Sequence, residues 1–101
     1  MNIFEEYLNK ITALVLKNKT FLELKELNNF KGIVVEPPPP EFNSDLSCNI
    51  SLVLGKINKV NPKELAIKIK DLIIKNLNDF DSIAIAGPGF LNLKFTNKIL
   101  I

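Results

Sequence analysis

The stretch Ile83-Ala84-Ile85-Ala86-Gly87-Pro88-Gly89-Phe90-Leu91-Asn92-Leu93-Lys94-Phe95 constrains the fold more than any other part of the chain. Two alternating runs flank Gly87-Pro88-Gly89, where a proline of fixed φ stands between two residues that tolerate φ > 0. That is the chemistry of a tight three-residue hairpin loop. Antiparallel partners keep a constant sum of positions, so Ala86 faces Phe90, Ala84 faces Asn92 and Ser82 faces Lys94. Period-two alternation assigns Ile83, Ile85, Leu91, Leu93 and Phe95 to the core and turns Phe90, Asn92 and Lys94 outward, beside the low surface of Ala84 and Ala86. Two readings of that row stand. An aromatic plane, an amide and a cation in line suit a nucleobase and its phosphate; equally, Phe90 could pack under a helix on a two-sided sheet while Asn92 faces solvent.

The rest of the chain supplies what covers the hairpin. Asn2 is placed to cap a first helix that carries Phe4, Tyr7, Leu8, Ile11, Leu14 and Val15 at helical spacing and ends near Lys17 to Lys19. Phe21, Leu22, Leu24 and Leu27 fit a second helix or a strand, and Ile33-Val34-Val35 reads as a strand. Pro37 to Pro40 form a stiff extended connector that ends the sheet edge. Asp45 or Ser47 caps the next helix, with Ile50, Val53, Leu54 and Ile57 on its apolar face and Gly55 permitting close packing. Asn61-Pro62-Lys63-Glu64 is a strong helix start, with Asn as cap, Pro at the first position and Glu to return a hydrogen bond. Leu65, Ile69, Leu72, Ile73 and Leu77 form the buried stripe that follows, and Lys63, Lys70 and Lys75 a solvated face. These stripes can be buried only against one another and the hairpin. The expected fold is α+β, a small antiparallel sheet with at least three helices packed on its Ile85/Leu91 face.

Composition excludes several chemistries. The chain has no His, which removes Ser/His/Asp and Cys/His nucleophilic systems and makes a metal site unexpected. Cys48 is the only cysteine, so no internal disulfide forms; it sits either in the first turn of a helix, with its pKa lowered, or as a small buried side chain. Asp45, Asp79 and Asp81 have no spacing that pairs them into an acid/base site, and capping or turn roles suit them better. Gly87-Pro88-Gly89 is followed by a strand, so it is not a phosphate-binding glycine loop. At 101 residues the chain reads as one domain. With no apolar run of about 18 residues and an acidic, amphipathic N-terminus, it reads as a cytoplasmic protein without a membrane span. All thirteen basic residues are lysine. Residues 1–45 carry five Lys against seven acids and residues 46–101 eight Lys against four, giving −2 and +4 for the net +2. A polyanion would favour the second half, attracted diffusely and without the bidentate fork of arginine.

Several strings occur in an order that resembles a known family: Val35-Glu36-Pro37, Asp45-Leu46-Ser47-Cys48-Asn49-Ile50, Leu54-Gly55-Lys56, Asn61-Pro62 and Ala86-Gly87-Pro88-Gly89-Phe90-Leu91-Asn92. Together they are similar to the N-terminal additional domain of bacterial arginyl-tRNA synthetases, over nearly the whole chain. The Ala-Gly-Pro-Gly-Phe-x-Asn string is the most specific element, and the Asp-x-x-x-Asn helix start is second. The resemblance implies a domain that contacts the D-loop at the outer corner of an arginine-specific tRNA, with Phe90 and Asn92 reading a nucleotide there. Lys94, Gly87 and Gly89 belong to the same tRNA-binding set, while Asp45, Asn49, Asn61, Pro62 and Pro88 form the structural motif. It also implies that residues 1–101 are a single tRNA-recognition domain of a longer ATP-dependent ligase. The catalytic domain, which would bind ATP and arginine, and the anticodon-binding domain lie elsewhere. This domain needs no cofactor or metal, and without His a His-Ile-Gly-His signature cannot exist, so the chain alone is not expected to aminoacylate. Ser44 stands where the family usually has Gly, and Ser51 and Gly55 replace typical Ala. The competing expectation is a freestanding interaction module holding a peptide through a sheet edge or the proline run.

Overall fold

The computed structural model describes residues 2–97, so the outermost positions of the expected 1–101 domain lie outside the described residues. The chain runs α1 (Ile3–Lys17), a 3₁₀ turn (Asn28–Phe30), β1 (Val35–Glu36), β2 (Leu46–Cys48), α2 (Ile50–Asn58), α3 (Pro62–Asn76), β3 (Phe80–Ala86) and β4 (Phe90–Phe95). The four strands form one antiparallel sheet in the order β1-β2-β4-β3, with helices against one face: an α+β fold.

Local chemistry sets the helix starts. The Asn2 side-chain oxygen accepts from the Glu5 N–H at 2.9 Å, and α1 buries Tyr7, Ile11 and Val15, three positions of one helical stripe. Asn61 accepts from the Glu64 N–H at 3.1 Å, and Pro62 opens α3, which buries Leu65, Ala66, Ile69 and Ile73. The hairpin register is the one that alternation dictates: Ala86 pairs with Phe90, Ile85 with Leu91, Ala84 with Asn92, Ile83 with Leu93 and Ser82 with Lys94. A bulge at Asp81 then shifts the register so that Phe80 faces Phe95. There Tyr7, Phe80 and Phe95 form an aromatic cluster with ring centroids 5.1 to 5.4 Å apart. The Tyr7 hydroxyl donates to Asp79 at 2.8 Å, tying α1 to the start of β3.

Three local expectations are corrected by tertiary context. Residues 21–27 form neither helix nor strand: Leu22 and Leu24 are buried, Glu23 has a positive φ, and the Lys25 and Glu26 N–H groups donate to the Asn58 side chain, both at 2.9 Å. The Ile33-Val34-Val35 strand is only Val35–Glu36. Neither Asp45 nor Ser47 caps a helix, because the Asp45 carboxylate accepts from the Phe95 N–H at 2.8 Å and Ser47 lies inside β2. Asn49 takes the cap position of α2 but turns its side chain away. It accepts from the Val34 N–H at 2.8 Å and donates to the Gly32 carbonyl at 3.1 Å, stapling the approach to β1. Of the two Cys48 readings the small buried side chain is the one observed: Cys48 lies in β2, and burial pushes its thiol up to about 12 against the lowering effect of a backbone hydrogen bond from Ile50.

Pro62 is the point where α2, α3 and the hairpin loop meet. A side chain at Gly55 would approach the Pro62 Cα to 3.3 Å, and one at Gly89 would approach the Pro62 carbonyl oxygen to 3.1 Å. Gly89 also has φ +143°, and its carbonyl accepts from the buried Ser51 hydroxyl. The loop is therefore held from behind, and the row that follows it is presented at a set height.

Candidate nucleic-acid interface

Pairing across three strand junctions places Glu36, Ser47, Asn92 and Ala84 in one row on the sheet face opposite the helices. The chain between β1 and β2 passes over this face. It is tied down where the Asp45 N–H donates to the Leu93 carbonyl at 2.8 Å and the Asp45 carboxylate takes the Phe95 N–H. A turn in which the Phe42 N–H donates to the Pro39 carbonyl at 3.1 Å shapes its middle. The result is a cleft of about 340 Å³, with Pro37, Pro39 and Phe42 on one side, Phe90 and Pro88 on the other, and Asn92 among its lining. Its size is at the lower end for small-molecule sites. The proline run is thus a wall of the site as well as a connector.

Alternation placed Phe90, Asn92 and Lys94 on the correct face, but its inference that Asn92 is outward and exposed is corrected. Asn92 is 2% exposed, on a central strand between Ser47 and Ala84, and its amide oxygen has no hydrogen-bond partner among the described residues. Phe90 and Lys94 are half-buried. Lys94 does not line the cleft; its Nζ lies 3.4 Å from the Asn43 side-chain oxygen. Gly87 lines the cleft and Gly89 sits behind it on Pro62. Glu36, Ser47, Pro37, Pro39 and Phe42 are the members that periodicity missed. The Val35-Glu36-Pro37 string carried the family resemblance, yet no spacing connects it to Asn92.

An unpaired buried acceptor is costly, because folding strips its water and returns nothing. An amide kept at that cost among the lining of a cleft is unlike one that fastens the fold through its hydrogen bonds. This distinguishes a structural Asn92 from a ligand-reading one. Asn92→Leu is expected to raise folding stability by about 1–3 kcal/mol in chemical melts, since it replaces an unsatisfied amide by a side chain of similar size. A comparable loss of stability would show that the amide holds the fold together.

Among the described residues no group of three or more His, Cys, Asp and Glu converges to hold a metal, and no helix is long and apolar enough to cross a membrane. The fold is a small α+β domain, with one sheet face sealed by helices and the other carrying a cleft whose lining includes a buried, unpaired amide. The family described as the arginyl tRNA synthetase N terminal domain matches residues 2–95. The chain is 44% identical over 97 residues to the arginine-tRNA ligase of Pelagibacter ubique (strain HTCC1062), covering 94% of this chain and 16% of that protein. It is 38% identical over 105 residues to that of Bartonella quintana (strain Toulouse), covering 97% and 17%. The same enzyme from Rickettsia akari (strain Hartford) is 37% identical over 98 residues, covering 97% and 16%. The chain belongs to the arginyl-tRNA synthetase N-terminal domain family and spans about one sixth of the length of these relatives.

Proposed function

We propose that this chain binds arginine-specific tRNA at the outer corner of the molecule, seating the base of one D-loop nucleotide in the cleft. Phe90 stacks on the base, the Asn92 amide pairs with its edge, and Lys94 and the turn of Gly87 and Gly89 stand at the rim toward the backbone. The domain holds the tRNA while a catalytic domain of the same cytoplasmic enzyme, which binds ATP and arginine, performs the aminoacylation. The domain itself uses no cofactor. The observation that carries this reading is the buried, unpartnered amide oxygen of Asn92, set beside an aromatic ring in a cleft of about 340 Å³.

Attraction to the phosphate backbone comes from lysines alone, over a small contact, so affinity is expected to be modest and salt-sensitive. With two or three phosphates neutralised, log K falls with log salt at a slope of about −2, and an approximately threefold rise in salt weakens binding by roughly tenfold. Titrating labelled arginine tRNA at two ionic strengths tests this. Tight binding unchanged by salt, or no binding at low salt, would overturn the reading.

A further inference from the structure

We infer that Glu36 is a specificity-determining residue of this cleft, its carboxylate accepting a hydrogen bond from an exocyclic amino group of the seated base, so that uracil is disfavoured. The inference rests on the proposed seating of a base and adds a second reader to it.

Glu36 pairs with Ser47, and Ser47 pairs with Asn92, so the three stand in one line across adjacent strands. With strands about 4.8 Å apart, the Glu36 and Asn92 backbones are roughly 10 Å apart. A ring lying over the small Ser47 side chain can therefore meet both long side chains, one at each edge. Glu36 lines the cleft, as do Ser47 and Asn92. Among the described residues no lysine lies within ion-pair distance of Glu36, and no cation lines the cleft.

The polar character of the cleft follows from these groups. Its single charge is negative, so a phosphate is repelled from the interior and a base is admitted without its phosphate. The Asn92 amide can donate or accept, whereas the ionised Glu36 carboxylate can only accept, so the sign of the preference is set by Glu36. A base that satisfies Glu36 must present a donor on the edge that faces it. Adenine, cytosine and guanine carry exocyclic amino groups. Uracil carries a carbonyl oxygen where cytosine carries its amino group, and that oxygen facing the carboxylate sets acceptor against acceptor. Glu36 is exposed, so its contribution is screened and the expected discrimination is moderate.

Hexamers of cytidylate and uridylate test the effect, because their bases are of similar size and differ on one edge, in the group at C4 and the proton on N3. Both are titrated by amide NMR into the full chain as wild type, Glu36→Gln, Glu36→Ala and Phe90→Ala. Wild type is expected to bind the cytidylate roughly tenfold more tightly, the scale of one directional base contact. Glu36→Gln, whose amide can donate to a uracil carbonyl, should bring the two within about twofold. Glu36→Ala should lose the cytosine preference by weakening cytidylate alone, and Phe90→Ala should weaken both ligands. If wild type does not prefer cytidylate, or if both Glu36 variants keep its preference while Phe90→Ala weakens both ligands, the base cleft stands and the role of Glu36 is overturned. If neither hexamer binds, or Phe90→Ala changes nothing, the seating of a base fails and the inference fails with it.

Discussion

Leu93→Ala is expected to lower folding stability by about 2–5 kcal/mol, the cost of lost burial plus the cavity left in a packed core. Leu93 is 0% exposed, on β4, paired with Leu46 on one side and Ile83 on the other. Its carbonyl also accepts the Asp45 N–H, so its strand serves core and cleft together. In a domain of this size, with total stability of about 5–15 kcal/mol, the change removes a large fraction of the margin. Thermal and urea melts measure it. Ile74→Ala on the 52% exposed outer face of α3 is the control, expected within about 0.5 kcal/mol of wild type. Equal effects at the two positions would mean that the helices do not seal the Leu93 face.

Phe90→Ala is expected to weaken tRNA binding by about 1–3 kcal/mol, the range for removing an aromatic platform beneath one base. Stacking needs a π face and tolerates any base, so the loss should appear whichever nucleotide occupies the contacted D-loop position. Phe90 is half-buried, pairs with Ala86 and lines the cleft, and removing it should destabilise the fold less than removing Leu93. Phe90→Tyr and Phe90→Leu separate stacking from bulk: the first should retain affinity, and the second should retain the fold while losing affinity. Wild-type binding by Phe90→Leu would show that the ring acts only as an apolar filler. Binding at fixed salt and melts of the same samples are both needed, since a destabilised variant binds less for reasons unconnected with stacking.

The recognition row shows how far pattern reading reaches. Alternation and the Gly-Pro-Gly loop are enough to pair Ala84 with Asn92 and Ala86 with Phe90, because hairpin register is set by turn length and a period of two. The same pattern reports which face a side chain shares and is silent on what passes over that face. Asn92 read as exposed because its sequence neighbours contain nothing to cover it. It is buried because the chain from Pro37 to Asp45 is anchored on β4. The Asp45 and Ser47 cap reading failed for a related reason. β2 is three residues long and buried throughout, so it shows no alternation, and the helix that begins two residues after it drew both residues into its cap.

The amino-acid sequence by itself determined the elements whose causes lie within a few residues. These are the Asn2 and Asn61 caps, the stripes of α1 and α3, the hairpin and its register, and the division of its residues between two faces. It also carried the family, through ordered strings that need no folding to be read. Only the tertiary structure decided that a short strand enters between β1 and β4, and that this insertion sets Glu36, Ser47 and Asn92 in one row under a proline-bearing strap. Strand order in a sheet comes from non-local pairing, chosen by the burial of the whole core and by backbone hydrogen bonds between distant segments. No local pattern records that choice. The cleft is a property of how the segments meet.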